Sequence, residues 1–264
     1  MPNRRHFLAL AAPAWALAQS QPSLIQDGDP HGDPPFLQED GWTPLLNGRD
    51  VSGWMAQDNK PNEWFTTRYV RWERLLGPTR LSGKPEPSGV MLNGPTGRTC
   101  NLISAAKHGD VELYVEFMLA KGSNSGVYLQ GLYEIQIFDS YGSEDKMKSS
   151  DGGGIYHRWI NNQGVGGSAP LRNASRQPGQ WQSYQAWFQA PRFDAAGKKT
   201  ANAKFLRVLH NGILVQENVE CEGPTRAHLE IPEAPLNPLM LQGDHGPVAF
   251  RNICWRPLRP LINR

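Results

Sequence analysis

The chain has 264 residues, which is enough to bury one sizeable hydrophobic core. Its formal charge is +2, and its basic residues are scattered among acidic ones, so it lacks the basic stripe that binding to nucleic acid requires. The 27 glycines and 22 prolines favour a β-rich domain with many turns.

The first 18 residues have the order of a removable export signal. Arg4 and Arg5 precede an apolar run from Leu8 to Leu17, and small residues at 16–18 precede Gln19. The arginine pair followed by Phe-Leu resembles a twin-arginine signal. The apolar run is shorter than the roughly 20 residues of a membrane span. We therefore predict a periplasmic or secreted protein with no membrane span once residues 1–18 are removed.

The next segment, residues 19–40, is rich in Pro, Asp and Gly and has almost no apolar periodicity, so it is predicted to be a flexible linker. A single domain is expected over residues 41–258, followed by a short tail at 259–264. The chain shows no internal repeat.

Short β-type runs separated by turn residues fill the rest of the chain, and no helical period of comparable strength competes with them. Asn211-Gly212 between two apolar runs predicts a tight hairpin. Antiparallel strands without helical crossovers indicate an all-β sandwich of two antiparallel sheets, as in a jelly roll. The predicted strands are Val111–Leu119, Gly126–Leu129, Tyr133–Phe138, Ile155–Trp159, Trp181–Gln189, Phe205–His210, Ile213–Val219, Leu239–Gln242 and Val248–Trp255.

Three cysteines, Cys100, Cys221 and Cys254, have no close spacing. They indicate neither a zinc knuckle nor a disulfide framework, although one disulfide after export stays open.

The densest polar signal lies in the segment Asn124–Asp139. Because side chains alternate along a strand, one face is expected to enter the core and the other to line a groove. The core set is Tyr133, Ile135 and Ile137, and the groove set is Tyr128, Gln130, Glu134, Gln136 and Phe138. The alternative is an ordinary half-exposed sheet, in which Asp139 only begins a turn.

Other candidate site residues lie downstream. Tyr156 and His157 follow a glycine run, and an imidazole is the usual general base near neutral pH, although a lone His is also a common structural residue. Gln242 and His245 flank a turn at a predicted sheet edge. Arg251 lies in an apolar strand, where a charge needs a partner, and we predict that it pairs with Glu134. Stacking on sugar rings is a possible role for three tryptophans that otherwise belong to the core: Trp64, Trp159 and Trp181.

Several ordered motifs together resemble the 3-keto-disaccharide hydrolase family over roughly residues 41 to 258. The stretch Glu222–Ala227 also resembles a recurring feature of secreted members. The resemblance implies a concanavalin A-like jelly roll that acts on glycosides with a ketone at C3, by hydrolysis or by elimination and hydration. Its motifs are Leu45–Trp54, Asn124–Leu129, Tyr133–Asp139, Gly154–Tyr156, Gly179–Gln182, Asn211-Gly212 and Phe250–Ile253.

The implied chemistry needs a base near C2, an acid near the leaving oxygen and donors at the ketone. We expect Glu134 or His157 to be the base and Asp139 or Glu134 the acid. A divalent cation is an open alternative as the electrophile, with Glu134, Asp139 and His157 as its ligands. The residues expected to bind the carbohydrate are Asn124, Tyr128, Gln136, Tyr156, Gln242, His245 and Arg251.

Two other functions fit the same residues. The strand Glu134–Asp139 resembles the E-x-D-x-x-E strand of retaining β-glucanases, but Gln136 replaces the middle Asp and Asp139 replaces the last Glu. A sugar-binding, lectin-like module without catalysis would share the fold as well, because fold does not fix function.

Overall fold

The computed structural model describes residues 34–57, 61–94 and 96–260. The predicted signal at 1–18 and residues 19–33 of the predicted linker lie outside these ranges, as do residues 261–264 of the tail. In chain order the elements are α1 Pro35–Gln38, β1 Thr43–Pro44, β2 Trp54–Ala56, β3 Phe65–Thr67, β4 Arg71–Trp72, β5 Leu81–Ser82, β6 Val90–Leu92, β7 Leu102–His108, β8 Val111–Leu119, β9 Asn124–Leu129, β10 Tyr133–Phe138, β11 Arg158–Ile160, β12 Gln163–Val165, β13 Trp181–Gln189, β14 Arg192–Phe193, β15 Lys199–Ala201, β16 Ala203–His210, β17 Ile213–Cys221, β18 Asn237–Leu241 and β19 Val248–Pro257.

Two antiparallel sheets form a jelly-roll sandwich, which confirms the predicted all-β fold class. Sheet A has eight strands in the order β17-β16-β13-β8-β19-β6-β3, with β1 paired to β19. Sheet B has five strands in the order β10-β9-β18-β7-β2. Three further strand pairs, β4-β5, β11-β12 and β14-β15, lie outside the two sheets.

The hydrophobic core lies between the two sheets, and alternation along the strands supplies it. On β8 the residues Leu113, Val115 and Phe117 enter the core, and on β10 the residues Tyr133 and Ile135 meet them. The odd-numbered side chains of β10 are therefore buried inward, as predicted. Its even-numbered side chains point to the outer face of sheet B.

Sheet A is also covered on its outer face, because both faces of β8 are buried. Glu116 and Glu112 on this face are paired with arginines of β19: Arg251 Nε lies 2.5 Å from Glu116, and Arg256 Nε lies 2.7 Å from Glu112. Arg251 also lies over the ring of Trp181, 4.1 Å from its centroid. The predicted pairing of Arg251 with Glu134 is therefore wrong.

The tight turns follow the predicted turn chemistry. Asn211 and Gly212 join β16 to β17 with φ values of 53° and 75°, as a two-residue hairpin requires. Gln130 and Gly131 join β9 to β10 with φ values of 55° and 65°. The second turn fixes the register of the hairpin that carries the candidate site.

Two segments differ from the expected pattern. Ile155 forms only isolated bridges, to Ile135 and Ser168, and the strand in that region is β11. The last residues of the predicted linker lie against sheet A, because Phe36 of α1 packs edge-on to Tyr114 and Glu39 binds Arg256.

The cysteines Cys100, Cys221 and Cys254 are all buried and unbonded to one another. Within the described ranges, no helix has the length and apolar character needed to cross a membrane.

Candidate active site

A pocket of about 360 Å³ opens on the outer face of sheet B. Strands β9 and β10 form its floor, and the segments around Tyr156, Arg226 and Gln242 form its walls. Seven of the residues predicted from the sequence come together here. The lining residues are Asn124, Tyr128, Glu134, Gln136, Tyr156, Arg226, Ala227, Gln242 and His245.

The space on the pocket floor depends on Gly126. In the register of β9 and β10, Gly126 lies opposite Gln136, next to the pair Tyr128 and Glu134. A Cβ atom on Gly126 would lie 2.2 Å from Oε1 of Glu134, which is far inside van der Waals contact. The missing side chain therefore gives the Glu134 carboxyl group the place it occupies.

Glu134 is the buried carboxyl group of this floor, with 2% of its surface exposed. Burial raises its pKa from 4.5 to about 8, because the charged form loses contact with water. A hydrogen bond from Tyr128 opposes this shift, and the negative charge of Asp244 adds to it. A carboxyl group with a pKa near neutrality can serve as a proton donor or acceptor.

Two side-chain amides in the pocket have oxygens that the folded chain does not satisfy. Within the described residues, neither Asn124 Oδ1 nor Gln136 Oε1 has a hydrogen-bond partner, although both atoms are buried. Leaving a buried acceptor unpaired costs about 1–3 kcal/mol. The hydroxyl groups of a saccharide are donors that would satisfy both oxygens.

His245 and Asp244 lie at the mouth of the pocket. His245 Nδ1 lies 2.5 Å from Asp244 Oδ1, and this hydrogen bond raises the pKa of the imidazole. On the wall, burial raises the pKa of the Tyr156 phenol and the nearby Glu134 adds to the shift, so Tyr156 stays protonated as a donor. The mouth thus combines an imidazole whose protonated form is favoured with a neutral phenol.

Sequence reasoning missed Arg226 and Ala227, which belong to the segment after β17. The backbone N–H of Arg226 donates to the His157 carbonyl, and the Arg226 carbonyl oxygen lies 3.3 Å from the Tyr128 hydroxyl oxygen. Ala227 has a φ of 62°, which is strained for a residue with a side chain. Since this segment has no strand periodicity, only the resemblance of Glu222–Ala227 to secreted relatives marked it.

Three predicted site residues lie outside the pocket lining. His157 stacks on Tyr156 with 4.3 Å between ring centroids, and its Nδ1 lies 3.3 Å from Ser149 Oγ. Asp139 accepts the backbone N–H of Gly122 at 2.8 Å and so stabilises a turn. Arg251 belongs to sheet A, where it binds Glu116.

The three tryptophans predicted to stack on sugar rings differ in burial. Trp64 and Trp181 are buried in hydrophobic clusters, whereas Trp159 on β11 is 46% exposed. Of the three predicted stacking residues, Trp159 is the one whose ring is exposed, and it lies near the pocket.

No cluster of three or more His, Cys, Asp or Glu side chains suited to a metal ion occurs within the described ranges. Glu134, Asp139 and His157 therefore do not form the ligand set considered from the sequence. The polar groups that surround Glu134 are instead three amides, two phenols, an imidazole and a guanidinium.

A larger cavity of about 470 Å³ lies on the far side of the sandwich, next to β4 and β5. Its walls are largely apolar, and its Glu73 carboxylate accepts the Ser82 hydroxyl at 2.5 Å. It contains none of the residues predicted to react, so the chemistry points to the pocket on sheet B.

The chain matches a known protein family and is similar in fold to solved glycosyl hydrolase-like structures. A family model described as the 3-keto-alpha-glucoside-1,2-lyase-like domain matches residues 41–256. A solved structure of a candidate glycosyl hydrolase from Parabacteroides distasonis has 25% identity and a TM-score of 0.59, and the match covers 83% of this chain and 84% of that one. A second candidate glycosyl hydrolase from the same organism has 19% identity and a TM-score of 0.52, over 83% of this chain and 100% of that one. No curated protein matches the chain.

Proposed function

Because this chain belongs to the 3-keto-alpha-glucoside-1,2-lyase-like family, a group of glycosyl hydrolase-like, carbohydrate-active domains, we propose that it cleaves 3-keto-glucosides by elimination followed by hydration. The observation that carries the proposal is Glu134, a buried carboxyl group with a pKa of about 8 on the floor of a pocket lined by amides.

The ketone at C3 makes this chemistry accessible to a single base. A base removes the proton at C2, and the electron pair is delocalised onto the C3 oxygen as an enolate. The enolate then expels the C1 oxygen of the aglycone, which takes a proton, and a double bond forms between C1 and C2. Addition of water across that bond completes a net hydrolysis. No oxocarbenium ion is required.

Glu134 suits the role of the base. General acid–base catalysis is most effective when the pKa of the catalytic group lies near the working pH. With its pKa raised to about 8, Glu134 is ionised in roughly a tenth of the molecules at neutral pH and in most of them above pH 8. The ionised form is a stronger base than an ordinary carboxylate, so it can remove a proton activated by the ketone. The unpaired oxygens of Asn124 and Gln136 would bind sugar hydroxyls beside it.

A retaining β-glucanase mechanism fits the pocket less well. That mechanism needs two carboxyl groups about 5 Å apart across the glycosidic bond. Glu134 is the only carboxylic acid among the lining residues, and Asp244 at the mouth is paired with His245. Asp139, which directly follows the same strand, accepts the backbone N–H of Gly122.

His245 is the residue we propose as the acid. Its hydrogen bond to Asp244 favours the protonated imidazole, which could donate to the departing C1 oxygen from the mouth of the pocket. Tyr156 and Gln242 supply further donors for the enolate oxygen.

Export to the periplasm or the medium is part of the proposal and rests on the order of features in residues 1–18. Fractionating cells that express the full chain, with Arg4 and Arg5 intact or both replaced by Lys, tests it. Retention of the intact chain in the cytoplasm would contradict it.

The test of the proposed reaction measures release of methanol from methyl 3-keto-glucoside and from the unoxidised methyl glucoside. We expect release from the keto substrate only, and a loss of about 10²–10⁴-fold in kcat/KM for Glu134→Gln, since that substitution removes the base and keeps the shape. Asp139→Asn is the matched control, because it changes the other carboxylate of the same hairpin.

Equal losses in Glu134→Gln and Asp139→Asn would contradict the assignment of Glu134 as the base. Faster release from the unoxidised glucoside than from the keto substrate would favour an ordinary glycosidase. Binding of the keto substrate without release of methanol would indicate a lectin-like module.

A further inference from the structure

A chain of aromatic contacts leads from the pocket wall to the surface. The ring of Tyr156 stacks on His157 at 4.3 Å, and the ring of His157 lies 6.1 Å from that of Trp159. Arg226, which lines the pocket, places its guanidinium carbon 3.9 Å from the centroid of Trp159. Trp159 is therefore connected to the pocket through two separate sets of contacts.

The hairpin β11-β12 holds Trp159 in this position. Trp159 pairs with Gly164 across the hairpin, and a Cβ atom on Gly164 would lie 2.7 Å from the His157 ring. The imidazole thus packs against the hairpin where Gly164 leaves room for it. Trp159 is fixed relative to Tyr156 by this packing.

The exposure of Trp159 sets it apart from the other tryptophans. Of those in the described part of the chain, Trp159 alone is exposed, with 46% of its surface accessible. Its neighbours Ile160 and Val165 on the same hairpin are exposed as well. An exposed apolar ring beside a polar pocket is a surface on which a second ring can stack.

We propose that Trp159 and Arg226 form the subsite for the leaving group, and that this subsite selects aglycones that contain a ring. This inference rests on the proposed function. With the 3-keto ring on the pocket floor beside Glu134, a C1 substituent directed to the mouth passes Arg226 and reaches Trp159. A sugar or aromatic ring would stack on the indole, whereas a methyl group would be too short to reach it.

The test compares benzyl 3-keto-glucoside with methyl 3-keto-glucoside. Both substrates expel an alkoxide oxygen, so they differ chiefly in the ring. We expect a lower KM for the benzyl substrate by about 2- to 10-fold in the wild type, since its ring can stack on the indole and the methyl group cannot. Trp159→Ala should remove most of this preference through KM, and Trp159→Phe should restore much of it.

Trp187→Ala is the matched control. Trp187 also lies beneath an arginine, with Arg207 5.9 Å from its centroid, but it belongs to β13 of sheet A. We expect the benzyl preference to survive in this variant. Thermal unfolding of each variant shows whether the fold is intact, and Trp159→Leu, which also lacks a ring, tests the subsite if Trp159→Ala does not fold.

Unchanged benzyl preference in a folded Trp159→Ala or Trp159→Leu variant, or equal losses for both substrates in Trp159→Ala with no recovery in Trp159→Phe, would overturn the subsite. The same conclusion follows if the wild type shows no preference. Those results are distinct from failure of the proposed function, in which the wild type would release neither alcohol and both proposals would fall.

Discussion

Glu134 shows how a single position can be prepared for proton transfer by its surroundings. The same carboxyl group on an exposed strand would be ionised at neutral pH. Here burial disfavours the charge, and the approach of Asp244 adds to the effect. Gly126 leaves the space that allows this burial.

The raised pKa predicts a dependence of stability on pH. The folded pKa of about 8 exceeds the ordinary value of 4.5, so between these pH values the folded state binds more protons than the unfolded state. The free energy of unfolding therefore falls as pH rises from 4.5 to 8. Urea denaturation at pH 5 and pH 8.5 measures this fall in the free energy of unfolding. The fall should be larger in the wild type than in Glu134→Gln, by on the order of 2–4 kcal/mol. Parallel losses in the two proteins would contradict the raised pKa.

Two arginines, Arg251 and Arg226, show what could not be predicted from the sequence. The burial pattern around Arg251 correctly indicated that its charge needs a partner. The pattern could not distinguish Glu116 from Glu134 as the partner, because the sequence of one strand does not show which strands lie next to it in the sheet. Arg226 was missed because it lies in an irregular segment, and loops that line a site carry no periodic signal.

At the scale of elements, the hairpin β9-β10 explains why the site lies where it does. Its three-residue connection, Gln130 to Leu132, fixes the register, and a shift by one residue would turn Glu134 into the core. The register places Gly126 and Glu134 on one face. Alternation along the sequence was sufficient to predict this face.

Gly126→Ala tests that arrangement. The substitution adds a Cβ atom 2.2 Å from Glu134 Oε1, so the carboxyl group must move. Since Gly126 lies on a strand and has no positive φ, we expect the domain to fold and kcat/KM for a 3-keto-glucoside to fall by roughly 10-fold or more, as misplacement of a catalytic group predicts.

Gly223→Ala is the control, because its added Cβ would meet Arg158 at an ordinary 3.6 Å. Full activity in a stable Gly126→Ala protein would show that the position of the carboxyl group does not limit the reaction.

Strands with clear alternation or long apolar runs were predicted with nearly correct bounds, as for β8 and β10. The strands before Leu102 were missed, because each has only two or three residues and such short runs carry no readable period. Ile155 was placed in a strand because of its apolar neighbours, although it contributes only isolated bridges.

At the scale of the whole molecule, the outer faces of the two sheets differ, because one is covered and the other carries the pocket. Sheet A has its outer face covered by paired charges such as Arg251 with Glu116 and by apolar side chains around Trp181. Sheet B leaves part of its outer face open as the pocket. The fold class, the face and most lining residues could be predicted from the sequence, whereas the covering segment with Arg226 required the folded chain.

The central claim is that the reaction begins with removal of the C2 proton of a 3-keto-glucoside by Glu134. The most direct measurement is a competition between methyl 3-keto-glucoside carrying hydrogen at C2 and the same substrate carrying deuterium at C2, followed by methanol release. The account predicts slower consumption of the deuterated substrate by the wild type and a large loss of rate in Glu134→Gln. Equal consumption of the two substrates, with full activity in Glu134→Gln, would contradict it.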